Sequence, residues 1–194
     1  AYWTITADFG GYTGLWLNEE TKEKRVYDLE MAERIAAKVR GRRAVVESAQ
    51  REEKKEWPPN LYDLTSLQRD ANRLLGFTAN KTLNVAQKLY EEHKLLTYPR
   101  TDSRFLPRDM QGKTLGAIRA LPEAYAPHAA PLLAKGSLPL SRRVFDDAKV
   151  SDHHAIIPTG KKADLDRLPP DDRALFDLVA RRLLAAFYPD HIYD

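Results

Sequence analysis

Cysteine is absent from all 194 residues. That excludes disulfide staples and thiolate zinc sites, and it fits a reducing cytoplasm. No apolar run reaches the ~20 residues that a membrane-spanning helix needs, and the opening Ala1-Tyr2-Trp3-Thr4 lacks the charged-then-apolar layout of a secretory signal. Strong charge of one sign is also missing. The net charge is +3 and the pI is near 9.0, a mild bias without the basic stripe of a dedicated DNA-binding tail, so any phosphate binding has to come from individually placed side chains. No Asp-x-Asp pair comes with a partner glutamate, and there is no internal repeat or low-complexity segment. What is present, 43% hydrophobic and 30% charged residues, suffices for one good core with a smaller appendage.

Tyr2 to Leu17 alternates apolar and polar residues around Gly10-Gly11 and reads as a hairpin. Leu29, Ala32, Ile35, Ala36 and Val39 share a helical face that Gly41 ends, and Ala44 to Ala49 reads as a further strand. The mixed-sign run Arg51 to Glu56 reads as a solvated strand or loop edge. Pro58-Pro59 marks a boundary, and the pattern beyond it turns helical. Asp63 is an N-cap for Leu64, Leu67, Ala71, Leu74 and Leu75, Gly76 closes that helix, and a second runs from about Ala79 to Glu92 with Leu83, Ala86, Leu89 and Tyr90 inward. Gly112 to Leu121 predicts a short helix, and the alanine- and proline-rich stretch after it only broken turns. Asp171 to Phe187 carries the clearest helical periodicity, and Tyr188-Pro189 ends it. The fold class expected is α+β: a small β-rich unit with one helix, then a mainly helical domain.

One stretch organises the rest: Lys94-Leu95-Leu96-Thr97-Tyr98-Pro99-Arg100-Thr101-Asp102-Ser103-Arg104. Pro99 removes a backbone donor and fixes φ, so Tyr98 sits at the end of an element. A phenol with an ordinary pKa near 10 is a poor nucleophile at neutral pH. In extended backbone, Arg100 projects to the same side as Tyr98, where a guanidinium can hold a phosphate while the phenolic oxygen attacks phosphorus. For Tyr-x-Arg alone, a buried tyrosine followed by a turn of Thr101, Asp102 and Ser103 is the better explanation.

The longer string decides. Leu-Thr-Tyr-Pro-Arg-Thr-Asp-Ser-Arg-Phe-Leu-Pro resembles the active-site segment of type IA DNA topoisomerases, and its Tyr-Pro-Arg form resembles the topoisomerase III branch. Pro58 to Asn72 resembles the family's lead into its tyrosine domain, and Asp152-His153-His154-Ala155-Ile156-Ile157-Pro158-Thr159 its histidine motif. The resemblance covers most of the chain. It implies that residues 1–57 are part of a β-rich gate domain, 58–189 the helical tyrosine-carrying domain, and 190–194 the start of the return to the gate. It further implies a piece of a longer enzyme. That enzyme cleaves single-stranded DNA through a 5′-phosphotyrosine, passes a strand and reseals without ATP. Its Mg2+ belongs to an acidic domain of the same polypeptide that has no counterpart here, so the fragment alone is expected to be inactive and to hold no metal. Underwound or single-stranded DNA and a helicase or single-strand-binding protein are the partners implied, the bacterial nucleoid the location, and no membrane is involved.

By the same resemblance Tyr98 and Arg100 are the catalytic pair. His153 is the better histidine to hydrogen-bond a DNA phosphate, His154 being structural. Adjacent histidines in a strand face opposite ways and do not easily share one metal ion. Thr97, Thr101 and Ser103 match the motif and are candidate backbone contacts, while Asp102 either holds Arg100 or caps a turn. Gln87 and Glu91, one helical turn apart, line up with polar residues of the binding cleft, and Arg69 and Arg73 are candidate phosphate contacts; a solvated helix face explains Glu91 and the two arginines as well. Trp3, Trp16 and Trp57 are read as core. The rivals are a non-catalytic single-stranded DNA-binding module, an Asp-His-His phosphodiesterase, which would need the missing Asp-x-Asp cluster, and a tyrosine recombinase or relaxase, for which no Arg-His-Arg set or three-histidine cluster is evident.

Overall fold

The computed structural model describes residues 1–193, and its backbone packs as two units, Ala1–Arg51 and a larger one that begins at Glu52. In the first, strands β1 (Thr6–Asp8) and β2 (Thr13–Leu15) pair antiparallel with Thr6 opposite Leu15 and Asp8 opposite Thr13. Gly10, at φ +84°, supplies the left-handed turn residue the hairpin needs. Trp3 bridges to Val26 beside it. Helix α1 (Leu29–Val39) starts on Asp28, whose carboxylate accepts the Met31 N–H at 3.1 Å, and stops just before Gly41 at φ +69°. The strand expected at Ala44–Ala49 does not form. Val45 and Val46 are 80% and 69% exposed, and no described residue pairs with that stretch; β propensity without a partner strand leaves its backbone to water.

In the second unit the mixed-sign run does yield an exposed strand, β3 (Lys54–Glu56), which pairs antiparallel with β4 (His191–Tyr193). The helices are α2 (Leu64–Leu75), α3 (Ala79–Glu91), α4 (Gln111–Arg119), α5 (Ala126–Leu133) and α6 (Pro170–Ala185). Asp63 and Ser66 close a reciprocal cap at the start of α2, with the Ser66 N–H at 2.6 Å from the Asp63 carboxylate, and Gly76 at φ +68° ends it. Arg104 adds a second hold on Asp63 at 2.7 Å. Burial pushes the Asp63 carboxyl up, but hydrogen bonds from Ser66 and the Arg104 cation outweigh it and hold the group below its ordinary range.

Helix α6 lies against α3 and α2 and buries Leu175, Phe176, Val179, Ala180, Leu183 and Leu184, a wider stripe than the single face read from the sequence. Two polar ties cross this core. Asp172 of α6 is buried and accepts Lys88 Nζ and His93 Nε2, each at 2.9 Å, which anchors the end of α3. Arg182 of α6 pairs with Asp70 of α2, donates to the Tyr62 hydroxyl at 2.9 Å, and lies over the Tyr62 ring at 4.1 Å.

Helix α5 corrects the expectation of broken turns. Pro127 sits in its first turn, where a missing N–H costs nothing, and burial of Ala129 and Leu132 outweighs the bond lost at Pro131. Trp57 is a second correction. It is 67% exposed, not core, and Arg143, whose guanidinium also bonds the Pro58 carbonyl, lies over its ring at 4.9 Å. No helix among the described residues is long and apolar enough to cross a membrane.

Candidate active site around Tyr98

The chain reverses at the end of α3 through Lys94, a non-glycine residue at φ +57°, and the Leu95 N–H returns to the Leu89 carbonyl at 2.8 Å. That turn sends Leu95 and Leu96 into the core and leaves Tyr98 half-buried at the surface, with Arg100 exposed beyond the buried Pro99. The histidine motif is drawn alongside by backbone pairing. The Thr97 N–H donates to the Ile157 carbonyl at 3.0 Å, the Thr159 N–H to the Leu95 carbonyl at 2.9 Å, and, on the other flank, the Ile156 N–H to the Tyr62 carbonyl at 2.8 Å. The three sequence motifs therefore meet as adjacent extended segments.

This pairing sets the exposed His153 ring 4.2 Å from the Tyr98 ring, centroid to centroid, at a 40° tilt. Tyr90, from the last turn of α3, meets Tyr98 edge to face at 5.5 Å and 79°. Among the described residues no group hydrogen-bonds the Tyr98 hydroxyl, whereas the Tyr62 and Tyr125 hydroxyls both bond to aspartates. Burial and those aspartates push the Tyr62 and Tyr125 phenols well above the ordinary tyrosine range; they are scaffold groups. Tyr98, by contrast, is half-exposed, with the cation of Arg100 two residues away.

Arg100 does not turn to Asp102. Its Nε donates to Gln87 Oε1 at 3.4 Å, and Gln87 in turn donates to Glu91 at 2.6 Å. Asp102 instead accepts the Ser151 hydroxyl at 2.9 Å and ties the motif to the loop before His153. Of the two roles open to Asp102, holding Arg100 or a structural one, the structure shows the second, as a tie between loops, and α3 supplies the partner for the guanidinium.

The three hydroxyls of the motif face inward. Thr97 Oγ1 donates to the Ala155 carbonyl and accepts the Ile157 N–H, at 3.1 and 3.0 Å. Thr101 and Ser103 are buried and donate to the His153 and Lys149 carbonyls at 3.1 and 2.9 Å. As arranged here they lock the tyrosine segment to the histidine segment, and their lone pairs and protons are not turned to solvent as DNA contacts would be. His154 turns its Nδ1 to the carbonyl of Ala155 at 2.8 Å. On α2, Arg69 is exposed without a side-chain partner among the described residues, and Arg73 pairs with Asp70 at 3.3 Å. No contact joins either to the Tyr98 cluster. The sequence reading missed Tyr90 as part of the site by assigning it to the inward face; its signal was the spacing Gln87, Tyr90, Glu91, which puts all three on adjoining sides of one turn.

A metal ion does not fit these residues. Among the described residues no group of three or more histidine, aspartate or glutamate side chains converges as a metal site, and the carboxylate joined to the cluster, Glu91, is engaged by Gln87.

The profile of the family described as "DNA topoisomerase" matches residues 1–194. Proteins named DNA topoisomerase 3 from Bacillus licheniformis and Bacillus subtilis are each 41% identical over 194 residues, which is 100% of this chain and 26% of theirs. That of Shouchella clausii is 37% identical over 190 residues, covering 97% of this chain and 26% of its own. The chain thus spans about a quarter of the length of these relatives. Among solved structures, full-length topoisomerase I from Thermotoga maritima superimposes with a TM-score of 0.61 at 25% identity, over 97% of this chain and 29% of that one. Sequence and fold agree, and the chain belongs to the type IA DNA topoisomerase family, among relatives named topoisomerase 3.

Proposed function

We propose that Tyr98 is the nucleophile of a DNA strand-breaking and resealing reaction, and that this chain works within a longer polypeptide. The observation that carries the reading is a phenol whose ring meets those of His153 and Tyr90, whose hydroxyl bonds to no described residue, and whose neighbour Arg100 stands exposed. The Tyr98 oxygen attacks a backbone phosphorus; the Tyr–O–P bond forms, the bond from phosphorus to the 3′ oxygen breaks, and the phenolic proton is exchanged for one on the 3′ hydroxyl. A 5′-phosphotyrosine and a free 3′ hydroxyl result, and reversal reseals the strand with no nucleotide consumed. Arg100, held by Gln87, which itself donates to Glu91, balances charge on the phosphate. His153, beside the Tyr98 ring and exposed, is placed to donate to the same phosphate or its neighbour.

Residues 58–189 are the tyrosine-carrying domain in this reading, with 1–57 and 190–194 part of the gate; the β3–β4 pairing, which brings both flanks of that stretch together, supports the division. Magnesium, for which no cluster of ligands converges among the described residues, belongs to acidic residues elsewhere in the polypeptide, and the chain by itself neither cleaves nor relaxes DNA. Single-stranded or underwound DNA is the substrate, and a helicase or single-strand-binding protein the partner that exposes it.

The test is to denature the full-length polypeptide after incubation with a labelled single-stranded oligonucleotide and magnesium, and to look for tyrosine-linked DNA. Wild type gives the adduct and Tyr98→Phe binds the oligonucleotide without giving it. An undiminished adduct from Tyr98→Phe overturns the assignment; binding without an adduct in either protein leaves a single-stranded DNA-binding module.

A further inference from the structure

The end of α3 does more than lead into the nucleophile segment. Tyr90 is half-buried, its ring packs edge to face on Tyr98, and its own hydroxyl bonds to no described residue. It cannot slide away, because α3 is fixed to α6 by Lys88 and His93 on the buried Asp172, groups that bracket Tyr90 in sequence. Lys94, whose ammonium lies 5.9 Å from the Tyr90 ring centre, adds a cation on that ring. His153 also meets the Tyr98 ring, but it belongs to an exposed bend. The two neighbours of the Tyr98 ring are thus unequal: Tyr90 is carried on a helix tied to the core, whereas His153 sits on an exposed bend held at its backbone by the Thr101 hydroxyl.

We propose that Tyr90 is a positioning residue for the reaction: its ring, acting through Tyr98, holds the nucleophile in the rotamer from which the phenolic oxygen reaches phosphorus. The inference rests on the assignment of Tyr98 as nucleophile. A tyrosine side chain has two soft torsions before its oxygen, and small rotations at χ1 move that oxygen by ångströms. Near-attack geometry is correspondingly sensitive. The His153 contact cannot set this geometry alone, since a DNA phosphate competes for the imidazole, whereas nothing in the reaction calls on the Tyr90 ring. What matters at position 90 is an aromatic edge. Phenylalanine keeps it; leucine keeps the bulk and loses it.

The experiment uses the full-length polypeptide with single-stranded oligonucleotide under single-turnover conditions, and compares Tyr90→Phe, Tyr90→Leu and Tyr98→Phe. Loss of one aromatic pair of this kind corresponds to a rate loss of about threefold to tenfold. The expected result is that Tyr90→Leu slows adduct formation by about that factor while oligonucleotide affinity and thermal midpoint stay near wild type, and that Tyr90→Phe cleaves at the wild-type rate. Equal cleavage by Tyr90→Leu and wild type overturns the proposal. So does a Tyr90→Phe variant as slow as Tyr90→Leu, since the hydroxyl and not the ring would then be responsible. Should Tyr90→Leu lose its folding transition, the Tyr90→Phe rate and the Tyr98 ring signal of 3-fluorotyrosine-labelled Tyr90→Phe decide: an unshifted signal and rate support the proposal, a shifted signal with an unchanged rate overturns it. Failure of the Tyr98 assignment is separate, because it shows as adduct persisting in Tyr98→Phe.

Discussion

The His153 imidazole lies 4.2 Å from the Tyr98 ring, centroid to centroid, although the two residues come from motifs far apart in the chain. Backbone pairing from Thr97 to Ile157 and from Thr101 Oγ1 to the His153 carbonyl brings them together. Removing the imidazole therefore takes away a ring contact and, in the proposed reaction, a phosphate donor while sparing the backbone ladder. His153→Ala in the full-length polypeptide is expected to lower single-turnover cleavage by about tenfold or more, the cost of one hydrogen bond to a charged group. Thermal unfolding should barely change. Rapid-quench cleavage beside a melting curve checks both halves.

Gln87 stands between Glu91 and Arg100. Gln87→Ala releases the guanidinium without removing it, and one long hydrogen bond of this kind, at 3.4 Å, corresponds to a rate effect of about fivefold. Arg100→Ala should be worse than Gln87→Ala, and Arg100→Lys should not restore the wild-type rate, because an ammonium cannot reproduce the planar fork. Comparing the three variants in the adduct assay tests the relay.

The helix cap at Asp63 has a pH signature. Its folded pKa is depressed, so its contribution is present above the ordinary aspartate pKa and is lost as pH falls through the lower, folded value. Asp63→Ala should cost about 1–2 kcal/mol at pH 7. In acid, below the folded value, the stability gap between wild type and Asp63→Asn should close. Urea titrations of both proteins from neutral to strongly acidic pH measure it, and a gap that stays constant would remove the charge from the explanation.

Asp70 and Arg182 form the tie between α2 and α6, with the Tyr62 hydroxyl as third member. Breaking one side leaves its partner poorly solvated, at a cost on the order of 3 kcal/mol. Asp70→Leu combined with Arg182→Met should recover much of that loss, since both charges leave together. A double-mutant cycle by chemical denaturation reads the coupling.

Residues that speak for themselves locally were legible in the sequence. Asp63 and Gly76 bound α2 as their capping chemistry requires, Gly41 follows the end of α1, and Gly10-Gly11 turns the hairpin. That Tyr98 stands at the end of an extended segment was legible because Pro99 follows it in one contiguous string. Long-range pairing was not. Nothing in Lys54-Lys55-Glu56 announces His191 to Tyr193 as its partner, and Ala44–Ala49 has strand-forming residues but no strand beside it. Likewise the hydroxyls of Thr101 and Ser103 look like phosphate contacts in a list of residue types, and only the carbonyls of His153 and Lys149 reveal where they go. Proline content concealed α5 because the sequence shows the lost donor and not the burial that compensates for it.

The antiparallel pairing of β3 with β4 means that the polypeptide goes out to the tyrosine-bearing helices and comes home through the same doorway, the two crossings hydrogen-bonded side by side. A body hung on two neighbouring threads can be spliced out or grafted elsewhere by joining its ends across a few ångströms.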